Sequence, residues 1–188
     1  LIENNFRVIQ PCTDCVYKGD PKVAPYSLNS TYDSEEPYGK SKAKLFTSSI
    51  YLNNIDSIKV IRASIIGTDK LDKSLYSWVL SKAENSQYIR GYVNHFWNGI
   101  TTLKWAEICL SIMLDFDSYP PISIYGTNTI SKYELIKKIL LTNGLYNSEL
   151  LKPIETKISI DRSLYLGKNN LGDIYYLLKE FKEFEKKI

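Results

Sequence analysis

The segment Ile58-Lys59-Val60-Ile61-Arg62-Ala63-Ser64-Ile65-Ile66-Gly67 most narrows what this chain can fold into. It is rich in β-branched residues, and its apolar character runs on instead of alternating. A half-exposed strand alternates, whereas a parallel strand covered on both faces does not. Parallel strands need long crossover connections, usually through a helix. Phe6-Arg7-Val8-Ile9-Gln10 reads as an earlier, shorter strand with β-branched residues at its centre.

Between the two strands lies a second constraint. The early strand runs into Pro11-Cys12-Thr13-Asp14-Cys15-Val16-Tyr17-Lys18-Gly19, then a polar loop rich in Pro and Tyr, then Glu35-Glu36-Pro37-Tyr38-Gly39-Lys40-Ser41-Lys42. Pro37 suits the first turn of a helix, where its missing N–H has no partner to lose. Glu35 and Glu36 suit the positive end of the helix dipole. Tyr38 and Lys42, four apart, then share one helix face. A free phenol has a pKa of about 10. A neighbouring ammonium favours the phenolate, which suits proton transfer at a carbonyl or alcohol oxygen. The chain holds 15 tyrosines and 24 basic residues, so the spacing alone says little. Its weight comes from the layout of strand, Thr-Asp, loop and helix.

This layout resembles the later part of an extended short-chain dehydrogenase/reductase, and within it the dTDP-4-dehydrorhamnose reductase group. The matching segments are Cys12-Thr13-Asp14-Cys15-Val16-Tyr17-Lys18-Gly19 and Tyr38-Gly39-Lys40-Ser41-Lys42. Ile58–Gly67 looks like the next parallel strand with its Arg-x-Ser turn, Asn98-Gly99-Ile100-Thr101-Thr102 like the entry to a late helix, and Ile160-Asp161-Arg162-Ser163-Leu164 like a C-terminal Arg-x-Leu turn. The resemblance implies an α/β fold: the C-terminal portion of a Rossmann-like doubly wound parallel sheet, with a small α/β substrate-binding lobe. Residues 1–85 would carry the sheet and the catalytic segment, and 86–188 mainly the lobe with returning elements.

The same resemblance implies NADP or NAD as cofactor and reduction of a 4-keto-6-deoxy sugar nucleotide in deoxysugar or polysaccharide biosynthesis. Thr13, Tyr38 and Lys42 would be catalytic, and Tyr38, Lys42, Arg62 and Ser64 would meet the cofactor. Asp14, Tyr17, Ile65, Arg90 and Asn98 would meet the substrate. Tyr38 would donate the proton, Lys42 would lower its pKa and hold the nicotinamide ribose, and Thr13 would hold the substrate oxygen. Ile65 stands where group members place a bulkier residue against the sugar, which leaves the sugar open. The rival readings are an NAD-dependent epimerase of the same superfamily and a non-catalytic binding protein that kept the fold. A homodimer is compatible with the resemblance.

Family members open with a Gly-rich turn that holds the dinucleotide pyrophosphate. The nine glycines here are scattered and form no Gly-x-Gly-x-x-Gly. An N-terminal portion on the order of 100 residues is therefore expected to be missing, and the start of the chain reads as the tail of a helix. The net charge of +3 comes without a dense basic block, which argues against nucleic-acid binding. No run reaches the roughly 18 apolar residues of a membrane span. Three cysteines, an odd number, favour a reducing compartment, read as cytoplasmic. Cys12-x-x-Cys15 follows a strand instead of opening a helix and lacks a second pair, so neither redox nor metal chemistry is expected.

Elsewhere, helices are expected over 68–85 (apolar at Leu71, Leu75, Trp78 and Val79), 103–114 (Leu103, Ala106, Ile108, Leu110 and Met113), 129–142 (Leu135, Ile136, Ile139 and Leu140, with a Ser131/Glu134 capping box) and 173–187 (Tyr176, Leu177, Phe181 and Phe184). Short strands are expected at 120–126 and 157–160. Tyr88–Gly99, aromatic and polar, reads as a loop. Its Phe96 and Trp97 are as consistent with packing as with ligand contact, and the sole histidine, His95, as a bystander.

Overall fold

A computed structural model describes residues 6–69 and 73–187. In chain order its elements are β1 (Val8–Cys12), α1 (Pro37–Ala43), α2 (Ser49–Asn53), β2 (Ile58–Arg62), β3 (Ile65–Ile66), α3 (Leu75–Glu84), β4 (Ile89–Tyr92), β5 (His95–Trp97), β6 (Ile100–Thr101), α4 (Thr102–Leu114), β7 (Ile122–Ile124), β8 (Ile130–Ser131), α5 (Lys132–Asn143), β9 (Leu151–Ile154), β10 (Ile160–Asp161) and α6 (Ile174–Glu185), joined in places by short 3-10 turns. The fold is α/β with parallel pairing throughout its main sheet.

That sheet has the order β1-β2-β7. Val60 of β2 is matched with Gln10 of β1 and Ile122 of β7, both in parallel. All five residues of β2 are buried, Lys59 and Arg62 included, as a strand covered on both faces requires. Successive side chains point to opposite faces, so one strand feeds two cores. Ile61 enters the larger core with Trp97, Ile112, Leu135, Ile139 and Phe181. Ile58 and Val60 enter the second, with Cys12, Val16, Tyr17, Tyr26 and Tyr51. Pro11 sits in β1, at an edge of the described sheet, where its missing N–H breaks no ladder.

The later strands pair as β10-β5-β8, β3-β6 and β4-β9. Helix starts are capped as side-chain chemistry dictates. Ser74, Thr101, Ser131 and Asp173 each accept an N–H of the first turn. Gly144, at φ +72°, closes α5 in the left-handed conformation that favours glycine. No helix among the described residues is long and apolar enough to cross a membrane.

Several expectations need correction. Tyr88–Gly99 is not a loop: it holds β4 and β5. In β4 the burial alternates, Ile89 and Gly91 inward, Arg90 and Tyr92 outward. Its partner β9 lies some sixty residues on, a contact that local patterning cannot reveal. The helix expected from residue 68 starts at Leu75, and Asp69 accepts the N–H groups of Lys73 and Ser74 ahead of it. Leu71 and the expected helix tail at residues 1–5 fall outside the described residues. In α4, Leu110 and Met113 face solvent while Ile108 and Ile112 are buried. In α6, Ile174 and Leu178 join Leu177 and Phe181 in the core, leaving Tyr176 and Phe184 exposed. Strand β1 runs two residues past Gln10, β7 is confined to Ile122–Ile124, and β10 begins only at Ile160.

Candidate active site

The early strand delivers Thr13 to the end of β1. There Thr13 caps a 3-10 turn, Asp14–Val16. Its Oγ1 accepts the Cys15 N–H at 3.1 Å and donates to Asp14 Oδ1 at 3.0 Å. Val16 and Tyr17, both fully buried, anchor the turn in the second core.

Helix α1 is seated against this turn by Gly39. A Cβ there would stand 2.0 Å from the Cys15 carbonyl oxygen and 2.3 Å from Ser34 Oγ. Only glycine allows that approach without displacement. Its neighbour Tyr38 thereby stands beside the Thr13–Cys15 turn with its side chain half exposed. Lys42 follows one turn later, its Nζ 5.8 Å from the centre of the Tyr38 ring. Among the described residues Lys42 has no hydrogen-bond or ion-pair partner. Partial burial pushes the Tyr38 phenol above its usual pKa, and Cys15, Cys12 and Asp14 add to the rise. This corrects the expectation that Lys42 lowers it in the arrangement seen here.

Two cations that the sequence reading did not assign to the site come from the second half of the chain. Gly19, at φ +94°, lies so close to Ile160 and Arg162 that a Cβ would meet their side chains at 2.7 and 2.9 Å. This contact brings Arg162 over the turn, with Nη2 donating to Glu36 Oε1 at 2.7 Å and Nη1 3.9 Å from Cys15 Sγ. Its Nε is buried without a partner among the described residues. Lys132, first residue of α5, lies over the Trp97 ring, Nζ 5.5 Å from its centre. Burial pulls the Lys132 pKa down, with Asp14 and Cys15 opposing the shift and Arg162 adding to it. These influences put Lys132 within electrostatic reach of the turn beside Tyr38.

Lys132 also lines a cavity of about 670 Å³ with Trp78, Tyr88, Arg90, Tyr92 and His95. Tyr92 and His95 stack at 4.4 Å between ring centres, and His95 Nε2 lies 2.9 Å from Thr156 Oγ1. Aromatic faces beside cations suit a planar ring joined to an anion.

The remaining expected residues divide. Arg90 lines the cavity, and Ile65 is 40% exposed at the start of β3. Ser64 accepts the Trp97 Nε1–H at 2.7 Å, which makes that Trp97 a core residue. Arg62, Tyr17 and Asn98 are buried and spend hydrogen bonds within the protein, though Asn98 also lines a cavity with Thr127 and Leu164. Arg62 is fully buried, donates to Tyr17 Oη at 2.6 Å and Tyr32 Oη at 2.8 Å, and packs on their rings and that of Phe46. Tyr17 Oη in turn donates to the Ser27 carbonyl at 2.8 Å. Asn98 clamps the Leu164 backbone, donating to its carbonyl at 2.8 Å and accepting its N–H at 2.9 Å. Most of these polar groups are engaged within the protein, as burial favours, but Arg62 Nε is buried without a partner among the described residues.

No protein-family model and no curated protein matches the sequence. Solved structures do. A dTDP-4-dehydrorhamnose reductase of Clostridium acetobutylicum aligns with 96% of this chain at a TM-score of 0.78 and 15% identity. A dTDP-4-dehydrorhamnose reductase of Bacillus anthracis, in complex with NADP, aligns with 95% at 0.75 and 13% identity. A UDP-N-acetylglucosamine 4-epimerase of Bacillus cereus aligns with 99% at 0.74 and 16% identity. The chain spans 66% of the length of each, just under two thirds. The likeness shows that this chain has the Rossmann-like fold of these sugar-nucleotide enzymes.

Proposed function

We propose that this chain carries the proton-transfer and substrate-binding part of an NAD(P)H-dependent reductase of 4-keto-6-deoxy sugar nucleotides, serving deoxysugar or polysaccharide synthesis. The reading rests above all on the seating of α1. Gly39 brings Tyr38 and Lys42 against the turn that presents Thr13 and Asp14. The fold shared with the reductases supports it. Residues 1–85 then supply β1, β2 and the catalytic segment, and residues 86–188 mainly the lobe that holds the substrate, with β7 returning to the main sheet. The free thiols Cys12, Cys15 and Cys109 suit a reducing compartment, which we take to be the cytoplasm.

In this reading the keto oxygen of the sugar accepts two protons' worth of hydrogen bonding, one from Thr13 and one from Tyr38. The Thr13 hydroxyl turns its proton from Asp14 to the substrate, keeping the Cys15 N–H as donor to its own oxygen. Tyr38 donates the proton as the alkoxide develops. The raised pKa of its phenol keeps that proton in place until it is needed. Lys42, with no protein partner among the described residues, is free to bind ribose hydroxyls and to offset the phenolate left on Tyr38. A bound dinucleotide supplies the hydride. Tyr38 and Lys42 would hold its nicotinamide end, whereas a Gly-rich pyrophosphate loop does not occur among the 188 residues.

The comparable likeness to a 4-epimerase supports a second reading, with transient oxidation and return of the hydride. Assay with NADPH or NADH and a 4-keto-6-deoxyhexose nucleotide separates the two, because a reductase consumes the reduced cofactor and an epimerase does not. Tyr38→Phe should lower turnover a hundredfold to ten-thousandfold, on the order of a lost general acid, with circular dichroism and melting unchanged. A fully active Tyr38→Phe protein would remove Tyr38 from the mechanism.

A further inference from the structure

Lys132 is a cation without a counter-ion contact. Its ammonium has no hydrogen-bond or ion-pair partner among the described residues, and its recorded neighbour is the face of Trp97. Half-buried, it gives up part of its hydration without a counter-ion in return. Asp14 and Cys15 act on it through space from the catalytic turn, and Arg162 repels it from the same side. Lys132 itself lines the aromatic cavity of Trp78, Tyr88 and Tyr92, with Arg90 as a second cation in the wall. An ammonium in the wall of an aromatic cavity, with a second cation in the same wall, suits an anion joined to a planar ring.

We propose that Lys132 binds the diphosphate of the substrate, and so makes this site select a nucleoside diphosphate-sugar over a free sugar or a sugar monophosphate. This rests on the sugar-nucleotide reading above, and it assigns to Lys132 a positioning role outside the Thr13, Tyr38 and Lys42 machinery. The base lies in the aromatic cavity, the hexose at Thr13 and Tyr38, and Lys132 fixes the distance between them by gripping the link.

The test compares uridine with UDP and thymidine with dTDP by calorimetry at low salt. The wild-type protein should bind at least one diphosphate on the order of tenfold more tightly than its nucleoside, the scale of one charge-assisted hydrogen bond. Lys132→Met should erase that increment, read as the ratio of diphosphate to nucleoside affinity in the same variant, and Lys132→Arg should restore most of it. Lys132→Gln serves the same purpose if the Met variant does not fold. An undiminished diphosphate increment in the Met or Gln variant overturns the role of Lys132 and leaves the sugar-nucleotide reading standing. Absence of any nucleotide binding by the folded wild-type protein overturns that reading, and the proposal with it.

Discussion

Tyr38 keeps its proton in this environment. Partial burial disfavours the phenolate, and the Cys15, Cys12 and Asp14 side chains disfavour it further. Lys42 approaches the ring from one turn away, 5.8 Å from its centre, too far to reverse those effects. In the protein without dinucleotide, Tyr38 should therefore ionise above the usual phenol pKa of about 10. The sign follows directly: a raised pKa means the protonated, donating form persists through neutral and mildly alkaline pH. An absorbance titration of the wild-type protein minus that of Tyr38→Phe isolates this one tyrosine, and a difference transition well below pH 10 would show that Lys42 dominates. At this scale the sequence was informative where spacing is local. Thr13, Tyr38 and Lys42 lie within a short stretch joined by one strand, one loop and one helix. Arg162, which meets Cys15 across 147 positions, and Lys132 on α5 were not legible as site residues, because only the folded chain sets them over the turn. Arg62, Tyr17 and Asn98 show the opposite failure. Their polar types invited a ligand role, but residue type does not report burial, and each is engaged inside the protein.

At the scale of elements, α1 is short, and its position matters more than its length. It spans Pro37–Ala43 and meets the Asp14–Val16 turn through Gly39. In an exposed helix, Gly→Ala stabilises by about 1 kcal/mol. Here the sign should reverse. An added methyl would collide with a backbone oxygen, which cannot swing aside as a side chain can. Gly39→Ala should cost about 1–3 kcal/mol, the range for overpacking, and lower turnover up to about a hundredfold as Tyr38 is displaced. Urea midpoints and steady-state rates on the same preparation check both. A stabilised, fully active Gly39→Ala would mean that α1 is not held as closely as described. Helices such as α5 were legible because their apolar positions repeat within one turn and Ser131 marks the start. The strands β4 and β5 were not, since each is three or four residues long and owes its pairing to β9, β8 and β10, far along the chain. In β4 the outward-facing Arg90 and Tyr92, turned toward the cavity, disguise the strand as a polar loop.

For the whole molecule the decisive fact is that β2 supplies both cores. Ile61 packs in the larger one and Ile58 in the second, three residues apart on a strand buried throughout. Neither core can lose its support from this strand without the other losing it too, so the two should unfold together. The chain carries its own reporters. Trp97 is buried in the larger core and Cys12 in the second. Tryptophan fluorescence and the labelling of Cys12 by a thiol reagent, located by peptide mass analysis, should give coincident urea midpoints. Ile58→Ala and Ile61→Ala should each destabilise by about 2–5 kcal/mol, the range for a buried Ile cut to Ala, and each should move both reporters equally. A Cys12 transition that shifts with Ile58→Ala while the tryptophan transition stays in place would make the cores independent. The Thr13 turn, which hangs from the second core through Val16 and Tyr17, could then loosen without the aromatic cavity, whose walls are built by α3, α5 and β4 on the larger core. Coincidence instead means that the turn bearing Thr13 and the wall bearing Lys132 keep their spacing until the whole fold is lost, as a site spanning both requires.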